Sequence, residues 1–149
     1  MGLSSNPQKS IYSLAESKAR KVKEIRRAAE RAGKAGLNIS VGGMAFHMAC
    51  TPDDVSFLQQ ANEAGKMVWE LMGLPAGDPN RTAEIKEKWY ENGVERTKLH
   101  TGVPEAIHDA VLFQAALYAR EILLMQENLI QGVQDAVGEE EVKKIRWGV

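Results

Sequence analysis

RTAEIKEKWYENGVERTKL, residues 81–99, is the stretch on which the fold class turns. It reads as an exposed helix. Ile85 and Trp89, four apart, give a narrow apolar contact, and Glu84 and Lys88 make a favourable pair at the same spacing. With this stretch helical, the chain has five helical segments and no firm strand. The expected fold class is then all-α, a bundle whose short connections favour antiparallel neighbours.

On its N-terminal side lies LPAGDPN, residues 74–80, a turn-rich connector. Before that, Thr51-Pro52-Asp53-Asp54 is a strong helix start: a capping hydroxyl, a first-turn proline and two acids on the positive end of the helix dipole. Val55, Leu58, Ala61, Val68 and Met72 line one side of that helix, and Gly73 with Pro75 beyond it predicts the stop. Farther back, LNISVGGMAFHMAC, residues 37–50, is apolar and broken by glycine. Ile39 and Val41 suit a short extended piece before Gly42-Gly43, and the remainder has no clear period. The first helix is expected to start at Asn6-Pro7 and to run to Gly33 or Gly36. On the C-terminal side, a long helix is expected from about Val103 to Val137. Gly138 separates it from EEEVKKIRW, where Glu139/Lys143 and Glu140/Lys144 repeat the pairing at four residues.

A chain of 149 residues with 44% hydrophobic and 26% charged residues has the size and balance of one globular domain. Its net charge of −1 conceals a division. Residues 1–37 carry nine Lys/Arg against three Glu, and the rest carries ten against seventeen acids. That asymmetry predicts a basic N-terminal helical arm over 1–37 and an α-helical body and assembly domain over 38–149. Cys50 is the single cysteine, so no internal disulfide can form. Neither a secretory leader nor a run of ~20 apolar residues is evident, which predicts a soluble protein acting inside a cell or inside a particle made there.

At ~100° per residue, Ile11, Leu14, Ala15, Val22, Ile25, Ala29 and Ala32 share one narrow stripe of the first helix. Arg20, Lys23, Arg27, Arg31 and Lys34 fall on the opposite side, spread over roughly 21 Å, and Lys21 and Arg26 flank them. A row of cations in register matches a phosphate backbone, and the forked arginine donors suit phosphate oxygens. No aromatic residue interleaves the cations, so base stacking is not expected there. The bland alternative is a solvated helix face.

EAIHDAVLFQAALYAREILLMQENLIQGVQDAV, residues 105–137, is apolar on two sides. Ile107, Val111, Ala115, Ala119, Ile122, Leu129, Ile130 and Val133 form a broad face, and Ala106, Ala110, Phe113, Leu117 and Leu124 a second. A helix apolar all round is either central in a bundle or shared with a neighbour. Its length favours assembly, with Phe113, Leu117, Leu124 and Trp147 as the expected interface residues.

Chemistry has few candidates. Glu105 and His108 have the Glu-x-x-His spacing of di-iron bundles; the motif occurs once, so a symmetric dimer would have to supply the second copy, and a further carboxylate such as Glu63 or Glu70 would also be needed. Met44, His47, Met48 and Cys50 are soft donors with no second Cys/His pair beside them. Cys50 with His47 or His100 is the only nucleophile pair that can be drawn. Gly42-Gly43 lacks the Gly-Lys-Ser/Thr of a phosphate-cradling loop, so an enzyme is not expected, and no cofactor is implied. Trp69, Trp89 and Trp147 suit packing or interfaces.

A slim basic N-terminal helix carrying Arg20, Lys23, Arg27, Arg31 and Lys34, joined to a long-helix body, resembles the coat proteins of filamentous archaeal viruses. The resemblance implies an all-α protomer, often one of a related pair. Such protomers wrap double-stranded DNA with their N-terminal helices and polymerise into a helical virion. The expected function is a non-enzymatic, self-assembling coat or packaging protein. A metal-binding dimeric bundle and a helical protein–protein adaptor stand as alternatives.

Overall fold

The computed structural model describes residues 12–148, and it is mixed α/β rather than all-α. The elements run α1 (Leu14–Ala35), β1 (Leu37–Val41), β2 (Met44–Met48), α2 (Pro52–Leu71), β3 (Thr82–Glu91), β4 (Val94–Pro104), α3 (Glu105–Asp135) and α4 (Glu139–Lys144). Two antiparallel hairpins, β1–β2 and β3–β4, account for the strands. Residues 81–99 are therefore not a helix, and the antiparallel helical bundle expected from them is corrected with it. Asn92 and Gly93 both take positive φ, 51° and 79°, between the paired residues Glu91 and Val94. That is the turn whose twist matches two flanking strands, and Asn-Gly is the pair that adopts it most readily. A spacing of four is even, so Ile85 and Trp89 share a face in a strand as well as in a helix. The turn decides between the two.

The short extended piece at Ile39 and Val41 is β1, and Gly42-Gly43 turns the chain into β2. Asn6-Pro7 and Ile11 lie outside the described residues. Within them α1 starts at Leu14, where Ser13 Oγ accepts from the Glu16 N–H at 3.2 Å and donates to the Glu16 carboxylate. It ends on Gly36, whose N–H donates to the Ala32 carbonyl. The cap of α2 is reciprocal between Thr51 and Asp54, and the helix stops just before Gly73.

The chain forms two compact units, residues 30–123 and residues 1–29 with 124–149, and the boundary between them falls within α1 and α3. In the 30–123 unit the core takes side chains from both hairpins, α2 and α3: Ile39, Phe46, Met48, Cys50, Leu58, Ile85, Val103, Val111 and Ala115. Hydrogen bonds join the hairpins and helix ends around it. The Ala49 N–H donates to the Lys88 carbonyl at 2.7 Å, Cys50 N–H to the Gly33 carbonyl, and Glu105 N–H to the Arg81 carbonyl. In the other unit Ile25, Ala28 and Ala29 of α1 are buried, as are Val133, Ala136 and Val142. Ser17 Oγ donates to Glu139, and Lys18 Nζ to the Gln134 carbonyl, tying α1 to the C-terminal helices there.

Candidate nucleic-acid interface

The α1 residues divide by direction much as their spacing predicts. Ile25 and Ala29 are buried and Leu14, Val22 and Ala32 half-buried, whereas Ala15 is exposed. Arg20, Lys23, Arg27, Arg31 and Lys34 are all exposed, as is Arg26. Four of the five cations, Arg20, Lys23, Arg27 and Arg31, make no ion pair with a carboxylate of the described residues. Lys34 differs: it pairs with Glu30 at 3.2 Å and sits 5.6 Å above the Tyr90 ring. Lys21 is drawn inward, its side chain only 15% exposed and 2.9 Å from Glu24.

Two aromatic rings that the spacing did not reveal lie at the ends of this row. Arg20 stacks 4.4 Å over Tyr12, and Lys34 and Lys88 both approach Tyr90. Tyr12 precedes the start of α1 at Leu14 and Tyr90 belongs to β3, so neither contact follows from the periodicity of α1. A guanidinium stacked on a ring keeps its in-plane N–H donors free for oxygens.

On α3 the broad face packs inward, with Val111, Ala115 and Val133 buried. The second face is open: Phe113 is 67% exposed, Leu117 45% and Leu124 46%. Ala106 is also exposed, and Trp147, beyond α4, is half-buried.

The other chemistry-bearing residues are engaged elsewhere. Glu105 forms an ion pair with Arg81 at 3.1 Å, and Arg81 also donates to the Leu74 carbonyl. His108 is buried, and its Nδ1 lies 3.0 Å from the Asn62 amide nitrogen. Asn62 also donates to Asp109, which pairs with Lys66. With Nδ1 accepting from Asn62, the ring proton is assigned to Nε2, which is buried and makes no hydrogen bond of good geometry among the described residues, the Glu84 backbone being its polar neighbour. Among the described residues of the single chain no three His, Cys, Asp or Glu side chains gather as metal ligands. Cys50 is buried and donates to the Met48 carbonyl. Burial, and then the Asp54 charge, push its thiol up to about 11, the wrong direction for a nucleophile. His47 contacts Asn38 and His100 contacts Glu87, each within 2.8 Å. Trp69 is buried and donates to the Thr82 carbonyl.

Burial holds the His108 ring well below the usual 6.5. A depressed histidine contributes stability that is present above 6.5 and lost as pH falls, because the unfolded ring takes a proton that the folded one refuses. Denaturant unfolding from pH 7.5 to pH 5 is expected to show this loss. In His108→Leu the pH slope falls by up to one proton, and equal slopes would contradict the assignment.

No helix among the described residues is long and apolar enough to cross a membrane. Comparison with known protein families, curated proteins and solved structures finds no match for this chain.

Proposed function

We propose that this chain is a non-enzymatic nucleoprotein component that binds nucleic-acid phosphates along α1 and associates with its own kind through the open face of α3. One observation carries the binding half: Arg20, Lys23, Arg27 and Arg31 project from one exposed side of one helix, and none forms an ion pair with a carboxylate of the described residues, so Glu16, Glu24 and Glu30 offset the row only in part. Exposed cations in register gain affinity by displacing the counterions condensed on a polyanion. Non-specific, salt-sensitive binding of duplex DNA is the expected activity. The all-α body implied by the coat-protein resemblance is overturned by the two hairpins. What remains in favour of a packaging role, in a virion or a comparable particle, is the layout of charge and of exposed apolar surface.

The test is charge reversal. Four phosphate contacts give a salt slope of roughly −3.6, so raising salt from 50 to 200 mM weakens binding about a hundredfold. In the variant with Arg20, Lys23, Arg27 and Arg31 all changed to Glu, duplex retention in a mobility-shift assay is expected to vanish while the circular dichroism of the helices persists. Undiminished retention by that variant would end the proposal.

A further inference from the structure

The 30–123 unit contains a cleft of about 730 Å³ between α2 and the β3–β4 hairpin. Leu58, Ala61 and Ala64 form one wall and Leu99 part of the other, with Met48 and Ala115 at the floor. Its size is that of a pocket able to enclose a ligand or several side chains. The rim is acidic: Asp53, Asp54, Glu84 and Glu95 stand against Lys86 and Lys88. Lys88 is already held by Asp54 at 2.8 Å and Glu95 at 3.3 Å, and Lys86 leans over the Phe57 ring. Asp53 and Glu84 are exposed, and neither has a cationic partner among the described residues.

The same unit carries a knob of opposite character. Phe113 and Leu117 protrude from α3, and exposed Arg120, without an ion pair among the described residues, follows one turn later. At ~100° per residue Arg120 lies within about 20° of Phe113, whereas Glu121 is displaced by about 80°. Ala115, at the floor of the cleft, is two residues from both Phe113 and Leu117, which puts it about 200° around the helix from each. The knob therefore points away from the cleft of its own chain, so a knob that enters the cleft must come from another copy.

We infer that Phe113 and Leu117 of one copy insert into the α2–hairpin cleft of the next, with Arg120 meeting the acidic rim at Asp53 and Glu84. This inference rests on the self-association proposed above and specifies its contact. Such a contact uses two different surfaces, so an open chain of any length still offers one free knob and one free cleft at its ends, and growth is head-to-tail.

The experiment is a complementation by analytical ultracentrifugation of the full chain. Phe113→Asp/Leu117→Asp removes the knob, and Ala64→Arg fills the cleft from an exposed helix position. Wild-type protein is expected to form concentration-dependent polymers, and each variant, with wild-type circular dichroism, to sediment as a monomer. Their equimolar mixture is expected to form a one-to-one dimer and nothing larger, since one intact knob meets one intact cleft. A mixture of folded variants that stays monomeric overturns the inference. So does continued polymerisation of Ala64→Arg when the knob variant is monomeric, a result that leaves self-association through α3 standing. Wild-type protein monomeric at every concentration removes both, while the DNA-retention assay still judges α1 separately.

Discussion

Gly36→Ala is expected to destabilise the 30–123 unit by about 3–5 kcal/mol, more than any other single methyl addition considered. Gly36 follows the last residue of α1 at φ 74°, a left-handed conformation that costs an alanine roughly 1–2 kcal/mol. Space adds a second penalty. A Cβ at this position would be driven into the carbonyl oxygen of Met48, a backbone atom that cannot swing aside. Met48 is held by its pairing with Leu37 across β1–β2, and Cys50, two residues on, donates to the Gly33 carbonyl at 2.8 Å. Relief of the clash must therefore separate the end of α1 from the first hairpin. Gly93→Ala is the control, because Gly93 has nearly the same φ, 79°, and nothing within 4 Å of the added methyl. Its expected cost is the conformational share alone, about 1–2 kcal/mol. Urea titrations of the two variants separate strain from crowding. Equal midpoints would show that crowding against Met48 contributes nothing.

The helices were legible because their signals are local. Thr51-Pro52-Asp53-Asp54 announces its own cap, Gly73 its own stop, and the inward face of α3 recurs often enough to stand out from chance. The second hairpin was not legible from spacing. Ile85/Trp89 and Glu84/Lys88 are separated by four, a multiple of the strand period and close to one helical turn, so the same residues satisfy both patterns. Asn92-Gly93 broke that tie, and its weight as a two-residue turn exceeds that of a single charge pair worth a few tenths of a kcal/mol.

The cationic face of α1 was legible because it is a property of one helix. Its modulation was not. Lys21 is drawn to Glu24, and Lys34 is shared between Glu30 and Tyr90, a residue of β3. The cleft is not legible in the sequence, because one of its walls is the β3–β4 hairpin, whose spacing also satisfies a helix. His108 showed only a short spacing motif. The Asn62 side chain that meets it comes from α2, forty-six residues away.

Asp54→Ala carries the second large expectation, because one carboxylate does two jobs with its two oxygens. Oδ2 accepts from the Thr51 N–H at 3.2 Å and from its hydroxyl at 2.6 Å, while Thr51 Oγ1 accepts from the Asp54 N–H, closing the capping box of α2. Oδ1 takes Lys88 at 2.8 Å, and so fastens α2 to β3. The side chains are 10% and 27% exposed, which places the pair beyond the reach of full solvent screening. Loss of the cap costs about 1 kcal/mol, and a half-buried ammonium left with only Glu95 and the Tyr90 ring adds to it, so about 2–4 kcal/mol is expected in all. Lys88→Met should cost less, since the Asp54 carboxylate keeps its bonds to Thr51. A double-mutant cycle between Asp54→Ala and Lys88→Met then isolates the ion pair, with a coupling of about 1–2 kcal/mol. The hydrogen bond to Asp54 raises the Lys88 ammonium above its ordinary 10.5, so while the Asp54 carboxylate is ionised this coupling holds up to pH 10.5 and fades as pH rises through the higher folded value. A coupling near zero at pH 7 would mean that the cap alone secures Asp54 and that α2 is held to the hairpin by apolar packing.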